Sequence, residues 1–155
     1  MTINKLYLFK TILTIWLCLF LKFSKSQNLN FYLTSDSIKY DTTVNSSFYA
    51  SGNIQNLSTA DTLTIDVIRL INDIEPYWAT SICTDVCYYT FIDSTVLILL
   101  PGQTQQFKNW FRFFAHNTDT AHTKILFSNR NDVNNYFLQN FYGIDSTSLI
   151  MSANE

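Results

Sequence analysis

Apolar and polar residues alternate along most of this chain, and the alternation has a period of two. In "TLTIDVIRL" (62–70) Leu63, Ile65 and Val67 fall on one face and Thr62, Thr64 and Asp66 on the other, the pattern of a half-buried strand. "QFKNWFRFF" (106–114) repeats it, with Phe107, Phe111 and Phe113 opposite Lys108, Trp110 and Arg112. Further strands are predicted over 29–33, 48–54, 96–100, 123–127 and 136–142, and one carries Trp78. Between them lie the turn-rich pieces "NLSTAD", "NDIEP", "PGQ", "HNTDTA" and "SNRNDVNN". Beyond the first 26 residues no stretch repeats apolar residues at i, i+3, i+4 and i+7. About seven short strands with frequent turns predict an all-β fold, a single antiparallel β-sandwich of the immunoglobulin-like kind.

The N-terminus reads differently. Lys5 and Lys10 precede the short apolar run "TILTIWLCLFL", and "KFSKSQ" follows with small residues at Ser24 and Ser26. A spanning helix needs about 20 apolar residues, and this run is about half that. Residues 1–26 are therefore expected to be a cleaved signal peptide, leaving 27–155 as one exported, periplasmic or extracellular domain with no membrane span. Cys18 lies inside the apolar run rather than after small residues at its end, which argues against a lipoprotein.

Removing that leader takes four of the ten Lys and Arg and none of the twelve acids, so six minus twelve leaves a charge of −6. Nucleic acid and anionic lipid surfaces, which call for basic patches, are not the expected partners.

Cys83 and Cys87 stand in "WATSICTDVCYY" (78–89). In an oxidising compartment an even pair favours a closed disulfide. Two alternatives stay open. A redox pair would want C-x-x-C at a helix N-terminus, and a zinc site would want four ligands, whereas His116 and His122 are the only histidines.

"ADTLTIDVIRLINDIEPYWATSICTDVCYY" followed by "FIDSTVLILLPGQTQQFKNWFRF" resembles an immunoglobulin-like module of exported Bacteroidota proteins. The resemblance rests on Asn56, Ser58, Asp61, Thr62, Arg69, Trp78, Ser81, Cys83, Cys87, Tyr88, Pro101, Gly102 and Thr104. It implies export and a sandwich fold, and an accessory role without catalytic residues or cofactors. Such modules are often followed by a sorting domain for type IX secretion; "STSLIMSANE" leaves no room for one, so either the frame is truncated or delivery differs.

Six Asp-Ser/Thr pairs resemble the O-glycosylation acceptors of the same group, marking Ser37, Thr42, Thr62, Ser94, Thr120 and Ser146; the competing reading is Asx turns. Asn45 and Asn56 head N-glycosylation sequons, which matter only in a eukaryotic secretory pathway.

Catalytic machinery is not expected. Neither histidine accompanies a nucleophile motif, the acids are mostly turn aspartates, and "SNRNDVNN" lacks the glycine and terminal Glu of a calcium loop. The expectation is a non-catalytic binding or structural module whose partner is a cell-surface or secreted protein or a glycan. Tyr77, Tyr88 and Tyr89 are the contact candidates. A thiol–disulfide protein using Cys83 and Cys87, and a carbohydrate-binding module, are the alternatives. Trp78 is expected in the core beside the disulfide.

Overall fold

A computed structural model describes residues 30–116 and 120–146. The predicted signal peptide, Cys18 and Leu29 lie outside these residues. The described residues run through nine strands: β1 (Phe31–Ser35), β2 (Ile38–Asp41), β3 (Phe48–Asn56), β4 (Leu63–Asp73), β5 (Trp78–Cys83), β6 (Ser94–Leu99), β7 (Thr104–Phe113), β8 (Thr120–Asn129) and β9 (Tyr136–Asp145). They form two packed sheets ordered β1-β3-β7-β5 and β2-β9-β8-β4-β6. The all-β immunoglobulin-like sandwich is present.

Two details differ from the expectation. Among the described residues the strands number nine rather than about seven, because the "SIKYD" piece forms the separate strand β2 beside those expected. The sheets are also not wholly antiparallel, since β2 pairs with β9 in parallel. Both differences have one cause. After Ser35 the chain leaves the four-stranded sheet and crosses to the other, its direction unchanged. The Asp36 amide still bonds to the Ser51 carbonyl at 2.8 Å, whereas the Ser37 carbonyl already accepts from Tyr142 at 2.8 Å. Gly52 makes the crossing sterically feasible. A Cβ there would lie 2.1 Å from the Thr34 carbonyl oxygen and 2.8 Å from the Ser35 Cβ.

The alternation read in the sequence builds the core. Leu63, Ile65 and Val67 of β4 and Phe107, Phe111 and Phe113 of β7 are all buried, and each such side chain contributes about 1.5–3 kcal/mol when withdrawn from water. Rings interlock across the layers: Phe107 meets Phe127 edge-on at 4.9 Å and lies 5.5 Å from Phe141. Trp78 is buried as expected, but its neighbours are Phe113 at 5.2 Å and Phe48 at 6.2 Å. Cys83, an odd number of residues further on, faces the other side of β5.

The ends are tied by polar groups. Asn56 is fully buried, and its amide donates to the carbonyls of Asp61, Leu99 and Leu100 at 2.8–3.0 Å. Its Oδ1 accepts from the Ser58 amide, the Ser58 hydroxyl accepts from Asp61, and the Ser58 carbonyl accepts from Gly102. Gly102, at φ 71°, occupies the left-handed position of the Pro101–Gly102 turn. The "N-x-S…D" and "PG" pieces thus form one knot joining the β3–β4 and β6–β7 turns. Asn56 has no amide to offer an oligosaccharide.

Candidate functional site

β5 is an edge strand, paired only with β7. Its open side would expose unpaired backbone groups, a hazard for a sandwich. The segment after β5 folds back to cover it. Cys83 and Cys87 form a disulfide and pair as an isolated antiparallel bridge. Beyond it, the Tyr88 amide donates to the Ile82 carbonyl at 3.0 Å, and the Ser81 hydroxyl donates to the Tyr88 carbonyl. Ser81 and Cys83 point away from the inter-sheet core yet are buried.

Arg69 of β4 anchors the rest of this segment. Its side chain is buried, and every nitrogen is used. Nε donates to the Asp93 carboxylate at 2.8 Å, Nη1 to the Thr80 hydroxyl at 2.8 Å, and Nη2 to the Thr90 carbonyl at 2.5 Å. The Thr80 hydroxyl in turn donates to Asn72. One guanidinium therefore fastens 90–93 to both sheets, and the planar five-donor fork suits that task better than an ammonium would. Buried charges persist when paired and fully bonded in this way.

Between the disulfide and this clamp, residues 89–92 make a tight turn, closed by the Ile92 amide on the Tyr89 carbonyl at 2.9 Å. The turn sets the Tyr89 and Phe91 rings face to face, 5.5 Å apart and 3° from parallel. They are 76% and 74% exposed, so the pair forms an aromatic knuckle in solvent.

The structure separates the contact candidates. Tyr88 and Tyr89 are not in a strand, and Tyr88 is half-buried while Tyr89 is exposed. Tyr77 is exposed at the opposite end of β5, where its carbonyl accepts from the Phe114 amide at 2.8 Å. Phe91 was not among the candidates; its signal in the sequence was the i, i+2 spacing from Tyr89. Among the glycosylation candidates, Thr42, Thr62, Ser94 and Thr120 are exposed. Ser37 and Ser146 are half-buried with engaged hydroxyls, Ser37 accepting from Gln139 at 2.9 Å and Ser146 donating to the Asp41 carbonyl at 3.1 Å.

The histidines fall on opposite faces of the five-stranded sheet. His122 stacks on Tyr142 at 4.7 Å and contacts Asn140 at 3.0 Å on the solvent side. His116 lies 2.9 Å from the buried Asp145 carboxylate. Among the described residues no three His, Cys, Asp or Glu gather as a metal site. In "SNRNDVNN" the side-chain oxygens of Asn129 and Asp132 accept backbone amides of their own loop. No helix among the described residues is long and apolar enough to cross a membrane; this and the disulfide are compatible with export.

No protein-family model matches the chain, and no curated protein matches it. Solved structures share its fold. The N-terminal domain of PorA aligns with a TM-score of 0.54 at 7% identity, over 74% of this chain and 96% of that one. A PapD-like domain of human CEP192 aligns at 0.48 and 7% identity, over 78% and 88%. The secreted serine protease VesC from Vibrio cholerae aligns at 0.48 and 11%, over 81% of this chain and 25% of the protease. At these identities the likeness concerns the fold alone.

Proposed function

We infer that this chain is a non-catalytic binding module of the cell envelope or extracellular space, and that it engages a cell-surface or secreted protein through the Tyr89–Phe91 knuckle. The observation that carries this reading is the exposure of two stacked rings on a turn fastened from one side by the Cys83–Cys87 bond and from the other by Arg69. Aromatic anchors of this kind dominate binding energy when they enter a partner's pocket, and a pre-ordered loop loses little entropy on association. A thiol–disulfide role has less support, because Cys83 is buried and its loop is fastened by hydrogen bonds independent of the sulfurs.

A photo-cross-linker at Val86, exposed on the same loop, tests the inference against envelope and secreted proteins of the native host. A discrete partner captured by the wild type and lost with Tyr89→Ala/Phe91→Ala is expected. Capture that survives the double substitution sinks the reading, as would hydrolytic turnover abolished by His116→Ala.

A further inference from the structure

The solvent face of the four-stranded sheet carries a second feature, remote in sequence from the cysteine loop. Thr34, Ser35, Asp36, Ser51, Asn53 and Gln106 line an open hollow of about 300 Å³, floored by the Gly52 backbone. Register places Thr34, Asn53 and Gln106 in one row across β1, β3 and β7, and Ser51 beside Lys108 in the next.

The lining is almost wholly polar: three hydroxyls, two carboxamides and one carboxylate. Hydroxyls and carboxamides each donate and accept, and among the described residues none of these five neutral side chains is engaged by another side chain. Alternating donors and acceptors match a ligand that does the same, which is a polyol. Anions fit poorly, since the one charged side chain in the lining is the Asp36 carboxylate, and Lys39 is already paired with it at 2.9 Å. Apolar ligands would strand the amides without partners.

Two tyrosines stand outside the lining itself, one further along the sheet at each end of the hollow. Tyr32 stands two residues before Thr34 and Tyr49 two before Ser51, both on the solvent face and about 7 Å away along their strands. They are 53% and 39% exposed. The Lys108 ammonium sits 5.4 Å from the Tyr49 ring centre, holding that ring over the sheet. A sugar has this dual character, hydroxyls around the rim and a C–H face that packs on tyrosine. The volume lies at the lower end for small-molecule sites, which suits one sugar unit. We propose that this hollow is a glycan-binding subsite that takes a neutral hexose residue, bonded by Asn53, Gln106 and Ser51 and flanked by Tyr32 and Tyr49.

The test is amide-shift NMR on the oxidised protein, titrated separately with the methyl glycosides of glucose, galactose, mannose and N-acetylglucosamine. Saturable shifts at the amides of Thr34, Asn53 and Gln106 with at least one glycoside are expected. Binding should weaken at least tenfold in Asn53→Ala/Gln106→Ala and in Gln106→Trp, which fills the hollow, and hold in Tyr89→Ala/Phe91→Ala. No saturable shift there with any of the four, shifts confined to the Tyr89 turn, or undiminished binding by both hollow variants overturns the proposal. Loss of protein-partner capture with the Tyr89→Ala/Phe91→Ala variant is a separate result and leaves this one standing.

Discussion

Asp41 shows how one side chain can hold a turn together. It closes β2, and its carboxylate accepts the amides of Thr42 at 2.7 Å and Thr43 at 3.0 Å and the hydroxyl of Ser46. Burial pushes its pKa up, but the Ser46 hydroxyl and the two amides outweigh that and hold the carboxyl below 3.8. A depressed folded-state pKa means the group stabilises the fold above 3.8 and loses that contribution as pH falls through the folded value. Asp41→Asn is therefore expected to cost about 1 kcal/mol at pH 6, with the gap to wild type closing below pH 3.8 in urea unfolding followed across pH. A gap that stays constant to pH 2 would contradict the assignment. Other single residues were legible only as types. Arg69 was marked only by the sequence resemblance, and its partners, as far off as Asp93, could not be read from its neighbours.

At the scale of elements, the cysteine segment combines a covalent link with a hydrogen-bonded one. The loop closed by Cys83 and Cys87 is short, so the chain-entropy argument gives it only about 2 kcal/mol. Arg69 and the Tyr88–Ile82 bond hold the same segment independently. Cys83→Ser/Cys87→Ser is thus expected to lower stability by about 2 kcal/mol while the Tyr88 amide stays slow in hydrogen exchange. Unfolding by denaturant and exchange measured by NMR check the two parts, and a freely exchanging Tyr88 would show that the disulfide alone holds the edge. The residues that carried the sequence resemblance take on a physical meaning here. Asn56, Ser58, Asp61, Arg69 and Gly102 are fasteners of turns and loops, whereas the exposed knuckle residue Phe91 lies outside the motif.

For the whole molecule, the sandwich buries Phe31, Phe107, Phe111, Phe113, Phe127 and Phe141 between two sheets and leaves the hydroxyls of Thr42, Thr62, Ser94 and Thr120 on exposed residues. Intact-mass and peptide analysis of protein from its native host is expected to find a chain beginning at Gln27 that takes up no alkyl label without reduction. Any hexose should sit on Thr42, Thr62, Ser94 or Thr120 rather than on Ser37 or Ser146, whose hydroxyls are engaged. Two labelled thiols, or sugar on Ser146, would contradict this picture. The expectation of export rests on local features, the N-terminal apolar run and the cysteine count. The order of strands is not local.

The alternation of Leu63, Ile65 and Val67, and of Phe107, Phe111 and Phe113, determined by itself that the fold is all-β and which side chains form the core. A period of two assigns each residue to a face whatever the strand's neighbours are. Which neighbours meet was decided by tertiary structure alone. The parallel β2–β9 pair, the meeting of Arg69 with Thr80, Thr90 and Asp93, and the row Thr34–Asn53–Gln106 all depend on register between strands distant in sequence. That register emerges only when the two sheets close on a common core, because period two specifies the face and leaves the partner open.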